Sequence, residues 1–277
     1  MNKLTLIIIT LLLYIFVAIL SAVLLPERIV YTFLAIVSFT GIFLFVYYAT
    51  KHISDKIDKK TEFLNTEIFA QYSQIESLFA IYNLLKIDGI LPPFRGWAIS
   101  PDFASIILKK IRNNKAEQIL ECGSGVSTII IGYLLKQRGS GHLYTLEHDA
   151  EYAKKTQTQL EKNNLSEYVT ILQSELISHS IHNNTWQWYD YSGIGNGQLF
   201  DMLIIDGPPF QLQPKSRYPA LPLLDKNLNN KAIILIDDCK REEDSEVVKQ
   251  WLNEYSHYTE EWIDTEKGAY LLTKIKT

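Results

Sequence analysis

The chain has 277 residues, 27 basic and 31 acidic side chains, a net charge of −4 and two cysteines. The length admits one large or two modest domains. The acidic balance argues against a nucleic-acid grip built on phosphate neutralisation, and so few cysteines exclude a disulfide scaffold or an all-cysteine zinc site. A mean hydropathy of −0.01 suggests an ordinary soluble protein, yet it averages two unlike parts.

The first part is apolar. Residues 4–25 and 29–50 carry no charged side chain, and only Pro26, Glu27 and Arg28 separate them. At ~1.5 Å rise per residue each run is long enough to cross a ~30 Å hydrocarbon core, so residues 1–50 are expected to form a transmembrane helical hairpin. A signal peptide ending near Ser21-Ala22 is the competing reading, weakened by the equally apolar second run. Lys3 precedes the first run and Lys51, Lys56, Lys59 and Lys60 follow the second. The positive-inside rule then places both termini, and everything after residue 50, in the cytoplasm at the inner membrane.

Between residues 53 and 85, apolar side chains recur at spacings of three and four: Ile53, Ile57, Leu64, Ile68, Tyr72, Ile75, Leu78, Phe79, Tyr82 and Leu85. This is helical periodicity, and residues 51–90 are expected to form a helical linker. It either packs on the downstream domain or pairs with a second copy as a homodimer.

From residue 91 the texture becomes a strand–helix alternation, the mark of a mainly parallel sheet covered on both faces. The expected strands are 118–122, 142–147, 169–173, 202–206 and 232–237, followed by 260–264 and 269–275 joined by a short link containing Gly268. That link suits a hairpin, so the last strand should run antiparallel. Helices are expected over Ser127–Lys136 and Glu151–Asn163.

Ligands of open α/β sheets bind at the carboxyl ends of the strands, so the strand ends carry the candidate chemistry. The first strand ends in Glu121-Cys122-Gly123-Ser124-Gly125, with Thr128 where a dinucleotide fold prefers a third glycine. The glycines allow close backbone approach to a ligand, although a plain strand-to-helix turn has the same pattern. Glu121 would repel a pyrophosphate, so a cofactor carrying positive charge fits better. The second strand ends at Glu147, placed to accept both hydroxyls of a ribose. His148 beside it and Ser174 after the third strand are candidates for the rim of a base. Asp206 closes the fourth strand and Asp237-Asp238 the fifth. With neighbouring strands ~4.8 Å apart, three carboxylates converge. Such a cluster asks for a divalent cation such as Mg²⁺ or for a basic partner, Asp238 having Lys240 and Arg241 within reach. Trp188 in a long aromatic stretch, Arg217 and Lys240 are candidate substrate contacts. Cys122 and Cys239 are expected to stay apart as reduced thiols.

The segments ILECGSGVSTIIIGYLL, HLYTLEHDAEY, FDMLIIDGPPF, SRYPALPLL and IILIDDCKREED together resemble class I adenosylmethionine-dependent methyltransferases, and among them bacterial O-methyltransferase-like proteins. The resemblance covers residues 91–277. It implies a Rossmann-like α/β fold, a seven-stranded sheet with an antiparallel last strand, preceded here by two transmembrane helices and a linker. It implies S-adenosylmethionine as cofactor, with Glu121, Gly123 and Gly125 at the methionine end and Glu147 at the ribose. Metal-dependent catechol-type relatives hold their cation with an Asp after the fourth strand and an Asp-Asn pair after the fifth. Asp206 and Asp237 match and Asp238 stands for the Asn, while Pro209 stands where those enzymes have a lysine base. The expected activity is O-methylation of a glycan, lipid-linked or small-molecule hydroxyl at the membrane face, with Asp206 and Asp237 as catalytic carboxylates. A nicotinamide-dependent oxidoreductase and a non-catalytic membrane module are the rival readings.

Overall fold

The computed structural model describes residues 12–275 apart from 18, 21, 22, 24, 25, 88, 95 and 196. The chain divides into two compact units, Met1–Phe69 and Ala70–Thr277.

In the first unit, much of the expected 4–25 span lies outside the described residues. Residues 12–17 and 19–20 are helical, and the Tyr14 hydroxyl lies 2.9 Å from Ser38 Oγ. The second expected span and the linker are one element: α1 runs Glu27–Leu84, 58 residues without interruption. The expected span and the expected helical linker thus follow one another without a break at residue 50. Residues 51–84 contain neither proline nor glycine, so nothing in the backbone ends the helix where the apolar run stops. Among the described residues one helix, α1, is long and apolar enough to cross a membrane. Ile57, Leu64, Ile68, Tyr72, Ile75 and Phe79 on it are exposed.

The second unit is built on a seven-stranded sheet. Its elements are α2 (Pro101–Asn114), β1 (Gln118–Cys122), α3 (Val126–Arg138), β2 (His142–Glu147), α4 (Ala150–Lys162) and β3 (Val169–Gln173). They continue with β4 (Leu176–Ile181), β5 (Asn184–Tyr189), β6 (Phe200–Ile205), α5 (Ala220–Leu224), β7 (Leu228–Ile236), α6 (Glu242–Glu254), β8 (Tyr258–Ile263) and β9 (Ala269–Lys274). The sheet order is β3-β2-β1-β6-β7-β9-β8. The first five strands are mutually parallel and β9 runs antiparallel to both of its neighbours. The reversal of order between β1 and β6 opens a crevice at their carboxyl ends.

Strand periodicity sorts the core onto the two faces. Ile119, Leu143, Met202, Ile204, Ile233 and Leu235 face α2 and α3 in one cluster, which Ile81 and Leu85 also enter. Leu120, Cys122, Leu203, Ile205, Ile234 and Ile236 face α6 in the other, with Val247, Val248 and Trp251. Every residue of α3 from Val126 to Leu135 is buried, which is why its sequence is apolar all round.

The β4–β5 pair was not expected from sequence. Residues 176–189, expected to belong to a long aromatic loop, form the β4–β5 hairpin, paired antiparallel from Leu176↔Tyr189 to Ile181↔Asn184. Its two turn residues, His182 and Asn183, have φ of 48° and 65°, the left-handed pair that a two-residue hairpin turn demands.

Candidate active site

The ends of β1, β2 and β6 enclose a cavity of about 440 Å³. Gly123, Ser124, Glu147, His148 and Tyr152 line one part of it, and Tyr189, Asp206, Phe210, Arg217 and Asp238 line another.

The first part is organised by Glu147. Its Oε2 accepts from the Ser124 backbone N–H at 2.9 Å and the Ser124 hydroxyl at 2.8 Å, and its Oε1 accepts from Asp149 N–H at 2.9 Å. His148 Nδ1 lies 3.2 Å from Oε1. Burial works against the charge on Glu147, but the hydrogen bonds from His148, Asp149 and Ser124 hold its pKa below the ordinary carboxylate range. Asp149 in turn caps α4 by accepting from Glu151 and Tyr152 N–H, which fixes the first turn of α4, where Tyr152 sits at the cavity edge. Gly123 turns the chain with φ +96°, a region that side-chain-bearing residues rarely enter.

Beneath that turn lies Glu121, 1% exposed. Thr128 donates to its Oε2 at 2.6 Å, while Oε1 has no hydrogen-bond partner among the described residues. Burial pushes its pKa up to about 7. A buried, orphaned carboxylate oxygen beside a glycine turn is what a cationic group on a ligand would satisfy. Together with the ribose-type acceptor Glu147, these residues fit adenosylmethionine.

The second part is ionic. Asp206, Asp237 and Asp238 do converge, each offering one carboxylate oxygen within 4.8 Å of the others. The basic partner is Arg217, only 2% exposed. Its Nη2 donates to the Asp206 carbonyl at 3.0 Å, to Asp206 Oδ1 at 3.1 Å and to Asp238 Oδ2 at 2.6 Å, and its Nη1 donates to the Asp237 carbonyl at 2.7 Å. Arg241 also pairs with Asp238, and Lys267 Nζ stands 3.8 Å from Asp238 Oδ1. Burial raises the pKa of Asp206, opposed by Arg217. Burial and then the charges of Asp206 and Asp238 raise that of Asp237. The guanidinium takes Asp206 Oδ1 and Asp238 Oδ2, oxygens that a divalent cation here would need, while both carboxylate oxygens of Asp237 are buried with no hydrogen-bond partner among the described residues.

Several expected residues lie elsewhere. Asp237 is fully buried below the cavity wall. Ser174 is buried, its hydroxyl donating to the Leu172 carbonyl at 3.0 Å, and Thr128 serves Glu121. Gly125 is the N-cap of α3 and is not part of the cavity lining. Trp188 is wholly buried in the core; strand alternation instead brings its neighbour Tyr189 to the cavity. Lys240 is turned to the Thr265 carbonyl at 2.7 Å and to Asp264 at 3.3 Å. Sequence reasoning missed Lys267 and the rim pair Trp97–Phe210, whose ring centroids are 6.5 Å apart, with Arg241 over Phe210 at 4.7 Å.

Gly207 sits where the wall is tightest. A Cβ there would meet the Tyr189 hydroxyl at 2.3 Å and the Cys122 carbonyl at 3.3 Å. Gly207→Ala is expected to cost about 2 kcal/mol through overpacking against a buried, rigid ring. Thermal unfolding checks this, and an unshifted midpoint would show that Tyr189 moves freely.

The strand order, the single antiparallel strand and a cavity at the β1–β6 reversal define a Rossmann-like methyltransferase fold. Comparison with known proteins agrees with that class. Residues 120–239 match a family described as a methyltransferase domain. No curated protein matches the chain. Among solved structures, cofactor-bound Rv0187 from MTB is 17% identical at a TM-score of 0.50, over 74% of this chain and 90% of that one. The SAH-bound methyltransferase PaMTH1 of Podospora anserina is 13% identical, also at 0.50, over 73% and 87%. An O-methyltransferase of Bacillus cereus in complex with SAH is 18% identical at 0.46, over 74% and 91%.

Proposed function

We propose that the chain is an adenosylmethionine-dependent methyltransferase that transfers a methyl to a hydroxyl, held at the cytoplasmic face of the membrane by an amino-terminal hairpin. The observation that carries this reading is the pairing, within one cavity, of the Gly123–Ser124–Glu147 cradle with the Asp206 carboxylate. The methyltransferase-domain match spans both. The Tyr14–Ser38 contact supports the hairpin, since the two residues stand equally far from Pro26 in sequence.

When bound, adenosylmethionine supplies an electrophilic methyl on its sulfonium. Glu147 holds the ribose hydroxyls, and Glu121, buried beneath the Gly123 turn and outside the cavity lining, places negative charge under the cationic end. Asp206, at the cavity wall, accepts the proton that the acceptor hydroxyl must lose. Its burial makes it a stronger base than an ordinary carboxylate, and Arg217 fixes its orientation. Tyr189 and Phe210 line the same cavity, and holding the acceptor hydroxyl beside the cofactor there lets proximity supply much of the rate.

Calorimetry on the full-length protein tests the cofactor. Adenosylmethionine and adenosylhomocysteine are expected to bind and NADH not to; binding of NADH alone would favour the oxidoreductase reading, and binding of none would end both. Labelled methyl transfer into membrane, glycan and small-molecule fractions identifies the acceptor class. Equal labelling by intact protein and Asp206→Ala would remove Asp206 from the mechanism.

A further inference from the structure

The carboxylate cluster at the ends of β6 and β7 contains its own positive charge, a property separate from methyl transfer. We propose that Arg217 is the resident cation of the Asp206–Asp237–Asp238 cluster, occupying the place of a divalent ion, so that this site takes up no metal.

Three observations carry this. The guanidinium reaches all three residues: both nitrogens of its Nη pair are engaged, by two carboxylates and two backbone carbonyls at 2.6 to 3.1 Å. A hard divalent ion would need Asp206 Oδ1 and Asp238 Oδ2, held here by the guanidinium, at ~2.0–2.6 Å, and a guanidinium cannot vacate them by losing its proton. Arg217 meets Asp237 through its backbone carbonyl alone, the buried carboxylate oxygens of Asp237 having no hydrogen-bond partner among the described residues.

The site is also surrounded by further cations. Arg241 and Lys267 both approach Asp238, and Asp244 joins the group 3.8 Å from Arg217 Nε and 2.9 Å from Arg241 Nε. Arg217, Arg241 and Lys267 thus all compete with an entering dication for the oxygens of Asp238, and each repels it at short range.

Arg217 is anchored as well. The residues on either side are buried: the Ser216 hydroxyl donates to the Pro208 carbonyl at 3.2 Å, and Tyr218 donates to Glu254 at 2.8 Å and packs on Trp186. The side chain is held among the acids by its own backbone. It acts as a positioning residue, fixing Asp206 at the cavity wall as a metal would.

Metal uptake is read directly by titrating the EDTA-stripped full-length protein with Mn²⁺ and following the free-ion signal by electron paramagnetic resonance. No saturable site is expected through the millimolar range. One equivalent bound per chain, and lost in Asp206→Asn, would overturn the proposal. Arg217→Ala vacates the position and is expected to gain one equivalent of Mn²⁺; a folded Arg217→Ala that gains none would show that the guanidinium does not stand in for a metal. If that variant does not fold, the titration of the unaltered chain still decides. The readout is independent of cofactor binding, so its failure is distinguishable from failure of the methyltransferase reading.

Discussion

Glu121→Gln is expected to make the protein more stable, relative to the unaltered chain, as pH rises from about 4.5 to about 7. The carboxyl has an ordinary value of 4.5 when unfolded and about 7 when folded, because burial disfavours its charge. Between those values the native state holds more protons than the unfolded state. Stability attributable to this group is therefore fully present below pH 4.5, declines through the interval and is lost above 7. The shift corresponds to about 3 kcal/mol at pH 8. Gln carries no charge to desolvate and still offers Thr128 an oxygen. Denaturant titrations of the cofactor-free protein at pH 5 and pH 8 measure the difference, and parallel pH profiles for the two chains would mean that Glu121 ionises without penalty.

The second large effect belongs to Glu147→Ala. Its carboxylate accepts from Ser124 N–H, the Ser124 hydroxyl and Asp149 N–H. Removing it takes away the acceptor for the ribose and loosens the loop that shapes the cradle. Charge-assisted hydrogen bonds contribute ~1.5–3 kcal/mol each, so adenosylmethionine affinity is expected to fall about 100-fold or more. Calorimetry measures this, with the melting temperature as a control for the loop. Glu147→Gln, which keeps one acceptor oxygen, should fall between the two. Unchanged affinity in Glu147→Ala would remove this residue from the cofactor site.

Much of this site was legible because the strands announce themselves. The expected bounds of 118–122, 142–147 and 169–173 coincide with β1, β2 and β3, since each is a short apolar run closed by polar residues. The strand ends then follow from topology, and Glu147 and Asp206 with them. What was illegible depends on partners distant in sequence. Trp188 looked like a substrate contact because residue parity has no meaning until the hairpin register is known. In the register Ile177↔Trp188, Leu176↔Tyr189, Tyr189 reaches the cavity and Trp188 the core. The alternation in LISHSI and NTWQWY, with Asn183 between them, was the available signal. Arg241 was named as a partner within reach of Asp238, and it does pair with it. Arg217 was recognised as a charge near the acids, but that it rather than Lys240 joins them rests on the buried anchors Ser216 and Tyr218. α1 runs on through residue 50 because the change in hydropathy there is not a change in backbone preference.

The backbone at Asp238 is left-handed, with φ +63°, a conformation that asparagine occupies more readily than most residues. Local geometry alone would thus favour Asp238→Asn, by an amount well under 1 kcal/mol, less than the whole difference between left- and right-handed conformations of ~1–2 kcal/mol. The same change would strip the acid from Arg217 and Arg241, and breaking a buried pair costs ~3–5 kcal/mol. The two demands point in opposite directions, and the electrostatic one is larger. An aspartate at this position is therefore tied to the arginine at 217: exchanging Asp238 alone leaves the guanidinium short of an acid, while exchanging both together, to an asparagine and a neutral side chain, removes the unpaired charge that the single exchange leaves behind.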